Sequence, residues 1–432
     1  MTTSLPRSHQ RPAGTQPPRQ DAPAAIVAVK RIFAAETGNY FLLLGATLFL
    51  VVFGLVMVLS SSSVESFKAS ADFFARFLRQ GLFALVGIPL MLVAARLPAT
   101  FWRRWAGIAM VVAVSLQLLV VATPLGVEQG GNRNWINLGG INAQPSEVAK
   151  VALVLWLGYL LSKKQAVLQD WREVVFPLVP VAGTTIGLVL VGGDLGTTII
   201  LSSIVLGALY FAGVKLRFLA VPVLLMVVGA LLLSSGSGSR GLRIQAWLTG
   251  CTSDALYSGV CWQAVHGWWA LASGGIFGVG LGNSKAKWSW LPEADNDFIF
   301  AIVGEELGLV GAIVVLVLFI VLAVAFVRII HANTDPFARI AVSSVMVWII
   351  GQAFVNIAVV LGVLPVLGVP LPLISAGGSA LVTTLFAIGI VLSFARHPTE
   401  IPEPGRARHP DTGPGRHPGE IRGRTAPRGE RR

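Results

Sequence analysis

The sequence predicts an all-α polytopic membrane protein with about ten transmembrane helices, one large extracytoplasmic loop and disordered cytoplasmic tails. Composition gives the first reason. The 432 residues are 54% apolar and only 12% charged, against about 25% charged in an ordinary soluble chain. Mean hydropathy is +0.73. A soluble globular enzyme and a disordered protein are both excluded by that balance. The second reason is patterning. Apolar stretches recur at 40–60, 76–95, 105–123, 147–161, 174–192, 196–212, 218–234, 298–325, 339–362 and 379–395, close to the roughly 20 residues a helix needs to cross the bilayer core. The fourth and fifth of these are short or broken. The third reason is where the charge lies.

The net charge of +12 suggests nucleic acid only until its distribution is read. With both tails placed in the cytoplasm, 24 of the 33 Lys and Arg residues fall on the inner side and six on the outer. That is the positive-inside bias of membrane topology, and it favours an even number of spans. Residues 1–38, rich in Pro, Gln and Arg, and residues 397–432, rich in Arg, Pro and Gly, read as disordered cytoplasmic tails. They suit tethers near anionic lipid or docking segments for cytoplasmic partners. Two cysteines exclude a disulfide-framework domain. Metal-ligand spacing of His, a P-loop and a dinucleotide fingerprint are all missing from the sequence.

Polar chemistry gathers in the outer connections. The first, 124–150, ends GGNRNWINLGGINAQPSEVAK; the second is the GGDLGT turn at 192–197; the third is the long connection of about 235–297. A loop of that length is usually functional. Its Trp residues suit the membrane interface, so re-entrant or surface-lying helices are expected within it. Cys251 and Cys261 both fall there, on the oxidising side, and either pair or remain two free thiols. Glu147 and Lys150 share a helix face and could be a mutual ion pair. Asp297 stands at the mouth of the eighth span. Apolar surroundings would raise its pKa towards that of a general base, while the same position suits a helix N-cap. Glu305 and Glu306 would lie roughly 12–14 Å deeper along the same helix.

Five segments carry a resemblance. They are NWINLGGINAQPSEVAK, GGDLGTT, SRGLRIQAW, GLGNSKAKWSWLPEADNDFIFAIVGEELG and NIAVVLGVLPVLGVPLPLISAGGSA. In this order, from about residue 40 to 396, the chain resembles the SEDS family of cell-wall polymerases, nearer its division branch than its elongation branch. The resemblance implies a peptidoglycan glycosyltransferase that polymerises lipid II at the outer face of a bacterial cytoplasmic membrane. The donor is the growing glycan on undecaprenyl pyrophosphate, and the acceptor is the GlcNAc 4-hydroxyl of an incoming lipid II. Asp297 occupies the essential acidic position. Arg240 and Arg243 match paired arginines suited to clamp pyrophosphate, with headgroup snorkelling as the alternative. Lys285 and Lys287 are weaker candidates for that task. Glu293, Gln263, Asp194, Gln144, Ser146, Glu147 and Lys150 match motif positions, as do Ser375, Gly377 and Gly378 before the last span.

The implied partners are a class B penicillin-binding protein transpeptidase and other membrane proteins of the division machinery. The implied location is the division septum, and a divalent cation such as Mg or Mn is a possible cofactor. Several positions depart from the family pattern. Asn134 stands where an Arg precedes the motif Trp, leaving Arg133 one residue early. Gly192 and Gly193 replace a Gln/Glu-Pro pair. Ala376 and Ala380 replace Tyr and Ser, and Trp262 replaces Tyr before Gln263. A lipid II flippase and a non-catalytic scaffold are the competing functions. A flippase needs a polar path through the midplane, whereas the polar residues here cluster on the outer side. A scaffold has no need of the intact Asp297 segment.

Overall fold

The computed structural model describes residues 38–129, 132–139, 141–234, 239–251, 254–288 and 290–396. Apart from Gly38, both tails read from the sequence lie outside the described residues. The helices are α1 (Gly38–Ser70), α2 (Ala75–Ala94), α3 (Ala99–Ala122), α4 (Pro145–Lys163), α5 (Trp171–Leu178), α6 (Thr184–Val191), α7 (Leu195–Ala212) and α8 (Leu216–Ser234). Then come α9 (Ser239–Thr249), α10 (Asp254–Tyr257), α11 (Trp262–Gly274), α12 (Ile299–Ala332), α13 (Pro336–Val360) and α14 (Gly378–Arg396). Among the described residues, 9 candidate spans are long and apolar enough to cross a membrane. Helix α8 occupies the remaining apolar stretch read from the sequence.

Local chemistry sets the ends of these helices. Pro145 opens α4 and Pro336 opens α13, each at a position whose N–H would have no helical partner. The Asp335 side chain caps α13 by accepting from the Phe337 N–H. Gly213, at φ 92°, ends α7 in the left-handed conformation that glycine takes without strain. The broken fifth stretch is one span, Arg172–Val191, in which Pro177 precedes and Pro180 lies within a π turn at Val179–Gly183 joining α5 to α6.

Helices α4, α13 and α14 are the most enclosed, and α2 and α3 are among those most open to the surroundings. Helix α4 packs on α3 and α13, α7 on α13, α14 on α2, and α12 on α1 and α11. The buried core therefore runs along α4, α13 and the first turns of α12. One feature departs from the all-helical expectation: β1 (Gly126–Gln129), β2 (Asn132–Leu138) and β3 (Ile141–Ala143) form a small antiparallel sheet in the order β1-β2-β3. The polar Asn and Gly residues there hid the alternation that marks strands.

The long connection contains α9, α10 and α11, and it then re-enters the bundle. Helix α12 is interrupted at Gly308, with φ 68° and ψ −164°. The break frees backbone groups, and the segment after α11 uses them. Val279 and Gly280 N–H donate to the Glu305 and Glu306 carbonyls at 2.9 and 3.0 Å, while Leu309 and Val310 N–H donate to the Gly275 and Ile276 carbonyls at 2.9 and 3.2 Å. Irregular backbone can lie among spanning helices only when its polar groups are met inside the protein, as these are. Glycine is required where these two backbones cross, because a Cβ on Gly278 would collide with the Glu306 carbonyl.

Candidate active site

Asp297 lies two residues before α12 and is 8% exposed. It does not cap the helix: the capping position is Phe298, and no side chain bonds there. The N-cap reading is therefore corrected. The preceding backbone turns too sharply for a simple helix entry. Glu293 adopts φ 54°, and its carbonyl accepts from the Asn296 and Phe298 N–H groups at 3.0 and 3.2 Å. A positive φ at a non-glycine residue is strained, and such residues gather at working sites. Asn296 Nδ2 donates to Glu293 Oε2 at 3.2 Å, which fixes the turn.

Helix α13 and the loop that follows it hold this turn from the other side. Asn356 Nδ2 donates to the carbonyls of Asp297 and Val369, both at 2.7 Å. Ser375 Oγ donates to the Asn296 carbonyl at 2.7 Å and accepts from the Leu371 N–H at 2.7 Å. Ala376 N–H donates to the Asp295 carbonyl at 2.8 Å. Gly368, at φ 70°, faces the carboxylate itself; a Cβ there would stand 3.7 Å from Asp297 Oδ2. The result is a carboxylate set by backbone clamps, with open glycine beside it.

Electrostatics follow from that placement. Burial raises the Asp297 pKa from 3.8 to about 7, and the nearby Glu293 pushes in the same direction. Its own backbone N–H and Arg243 pull it down, and Asp295 pushes it up. Arg243, on α9, thus carries its positive charge close to Asp297 while remaining exposed. The side chain of Arg240 lies outside those described. Cys251 and Cys261 form a disulfide that ties the end of α9 to the start of α11. Gln263 Nε2 on α11 donates to the Pro292 carbonyl at 3.2 Å, and Trp262 Nε1 to the Trp290 carbonyl at 2.9 Å. Both brace the segment that leads to Asp297.

Other expected substrate ligands are placed differently. Lys285 is exposed near the mouth, but Lys287 turns inward. Its Nζ meets the Gly282 carbonyl at 2.6 Å, the Ser60 carbonyl at 3.3 Å and Glu306 Oε1 at 3.4 Å. Glu305 accepts from Ser284 Oγ at 2.5 Å and from the Lys285 N–H at 2.9 Å. The two glutamates therefore anchor the loop rather than face a ligand. Lys150 pairs with Glu147 at 2.8 Å, both buried, and it also donates to Gln352 Oε1 at 3.2 Å. Gln352 in turn donates to the Pro370 carbonyl at 2.9 Å, so this pair supports the loop beside Asp297 from below. Ser146 is buried beside it. Asp194 caps α7 through the Thr197 N–H at 2.8 Å and accepts from Gln144 Nε2 at 2.9 Å. Gly377 N–H donates to Gln80 Oε1 at 3.2 Å, and Gly378 lies against the Phe83 ring where a Cβ would not fit.

The departures at Asn134 and Gly192 turn out to be one feature. Asn134 is buried, accepts from Gln117 Nε2 at 2.9 Å, and occupies the space that a Cβ on Gly192 would need. Arg133 points to the exposed side and donates to the Thr123 carbonyl at 2.7 Å. Among the described residues, His, Cys, Asp and Glu side chains nowhere converge in a set that could hold a metal ion. The donors present do not fit a protein-built divalent site. An apolar groove of about 860 Å³ lies between α11, α12 and α13, bordered by Leu271, Gly308, Phe319, Phe354 and Leu361.

The family model described as cell cycle protein, covering FtsW, RodA and SpoVE, matches residues 41–400. The chain belongs to this SEDS family. It is FtsW-like within it. A Mycobacterium tuberculosis protein named probable peptidoglycan glycosyltransferase FtsW is 40% identical over 362 residues, covering 84% of this chain and 68% of the relative. A Geobacter metallireducens protein of the same name is 38% identical over 344 residues, covering 80% of this chain and 91% of the relative. A solved structure described as coordinating polymerization and crosslinking in a peptidoglycan synthase complex superimposes with a TM-score of 0.67 at 25% identity. It covers 82% of this chain and 96% of that one. The Thermus thermophilus rod shape determining protein RodA shares the fold, with a TM-score of 0.61 at 24% identity, covering 84% and 98%.

Sequence reasoning did not single out Asn356, Gly368 or Gln352. The first two lie inside the quoted NIAVVLGVLPVLGVPLPLISAGGSA motif, so the signal was present without an assigned role. Arg76 and Asp295 were likewise unassigned, because their pairing joins positions far apart in the chain.

Proposed function

We propose that this SEDS-family peptidoglycan glycosyltransferase polymerises lipid II at the outer face of the cytoplasmic membrane during cell division, with Asp297 as general base. A sugar hydroxyl is a poor nucleophile and needs a positioned base. Asp297 takes the proton of the acceptor GlcNAc 4-hydroxyl as that oxygen bonds to the anomeric carbon of the donor sugar. The bond from that carbon to undecaprenyl pyrophosphate breaks, and the pyrophosphate leaves with the electron pair. It needs positive charge rather than a proton, and Arg243 supplies this, joined by Arg240 three residues earlier on the same helix. The apolar groove beside α12 suits a polyprenyl chain.

The observation that carries this reading is a buried carboxylate, raised to about 7, at the head of an apolar helix and within the field of an arginine. At neutral pH such a group is substantially ionised and still basic enough to accept a proton. The deeper charged groups favour polymerase over flippase: Glu147 is met by Lys150 and Glu306 by Lys287, so these groups serve one another. The tails face the cytoplasm on the charge bias of the sequence. A class B penicillin-binding protein is the proposed partner, supported by the likeness to a synthase complex. The test is glycan strand synthesis from lipid II by the purified chain with that partner, beside Asp297→Ala at matched expression and fold. Strands from the native protein alone support the assignment. Strands from both sink Asp297 as the base.

A further inference from the structure

The turn bearing Asp297 is clamped on one side by side-chain bonds to its backbone from Asn356 of α13 and Ser375 of the following loop. On the other side it meets helix α2 through one ion pair. Arg76 Nη1 stands 2.7 Å from Asp295 Oδ2 and 2.5 Å from Glu65 Oε2 on α1. The Asp295 side chain is 4% exposed, whereas those of Arg76 and Glu65 are 40% and 36% exposed. A carboxylate so enclosed requires a cation, and here the cation comes from a different helix. The Arg76 N–H is itself anchored to Ser66 Oγ at 3.3 Å, so the guanidinium is set by the α1–α2 corner.

We propose that Arg76 is a positioning residue for Asp297 that acts through Asp295: it neutralises the carboxylate two residues away and pins the turn to α2. This rests on Asp297 being the base. The charged groups facing Asp297 are Glu293 and Asp295 on its own segment and Arg243 on α9. Glu65 and Arg76 reach it through Asp295, and Asn356 of α13 and Gly368 of the following loop bring no charge. Without Arg76, Asp295 becomes an unpaired negative charge beside the base. A like charge there disfavours ionisation of Asp297, and the turn loses its tie to α2.

The experiment is the pH dependence of strand synthesis from lipid II by the full chain with its transpeptidase partner. The variants are Arg76→Gln, Arg76→Lys, Asp295→Asn and the Arg76→Gln/Asp295→Asn double. Arg76→Gln is expected to lower kcat about tenfold with little change in KM, as loss of positioning does. Its acidic limb should move to higher pH by about half a unit or more. Arg76→Lys should return the limb close to native. Asp295→Asn removes a charge that raises the Asp297 pKa and should move the limb down. In that background Arg76→Gln should change kcat by less than about twofold, because its route is gone.

An Arg76→Gln variant with native kcat and a native limb would overturn the proposal alone. So would an undiminished Arg76→Gln effect in the Asp295→Asn background. A native protein without a limb near neutrality removes the reading of Asp297 as base, and the proposal falls with it. Thermal melts check folding. Should Arg76→Gln fail to fold, the downward shift from Asp295→Asn alone decides: no shift contradicts the route through Asp295.

Discussion

Two groups of carboxylates sit within ten residues of each other at the head of α12, and they are treated in opposite ways. Glu305 and Glu306 receive Ser284, Ser60, three backbone N–H groups and Lys287. Asp297 receives its own backbone N–H and, among the described residues, no other donor within bonding distance. The first pair holds a re-entrant loop in place. Asp297 keeps its capacity to take a proton. Burial raises the pKa of Asp297 and so favours its holding a proton. The contrast separates architecture from chemistry on a single helix.

The largest effect should come from breaking the reactive side. Asp297→Asn keeps shape but removes the proton acceptor, and strand synthesis should fall by about 10²–10⁴-fold. A gel of lipid II products at matched protein levels reads it. The structural side breaks differently. Lys287→Met strands buried Glu306 and should cost about 3–5 kcal/mol, while Lys285→Met, on an exposed neighbour, should stay within about 0.5 kcal/mol. Paired thermal melts would show whether the two lysines differ as their burial requires.

Asp297→Asn also sharpens the comparison through stability. Its carboxyl pKa is raised on folding, so ionisation opposes the fold. The penalty is absent below the ordinary value of 3.8, grows as pH rises, and is complete above about 7. The Asn variant should therefore melt higher than native above neutrality and lose that advantage in acid. An equal melting temperature at both extremes would count against the burial. Reducing the Cys251–Cys261 disulfide should weaken the loop by about 2–3 kcal/mol, read as faster proteolysis within the α9–α11 connection. The smallest effect is expected from Glu293→Gln, which removes a charge that raises the Asp297 pKa. Its acidic limb should move to lower pH by a fraction of a unit.

Much of the helical frame was legible because long apolar runs leave a membrane chain little choice but helix. The position of Asp297 was legible too, since it is the last of three acids directly before such a run. The clamps around it were not. Asn356 and Ser375 act through backbone carbonyls of the Asp297 turn, and a sequence does not show which carbonyl a side chain will meet. Lys287 and Lys285 look alike in the sequence, yet one is buried and the other exposed. Their fates diverge because the loop folds back onto broken helix α12 at Gly308, a contact set by backbone pairing. The departures at Asn134 and Gly192 looked like two separate losses and are one packed contact.

The pH–rate profile of the native enzyme, taken under single-turnover conditions with lipid II and with Asp297→Asn alongside, tests the central claim most directly. The account predicts an acidic limb in the native profile at about 7, the value burial gives Asp297, and no such limb in the residual activity of the variant. A native rate that is flat across neutrality, or a variant that keeps both rate and limb, would contradict it.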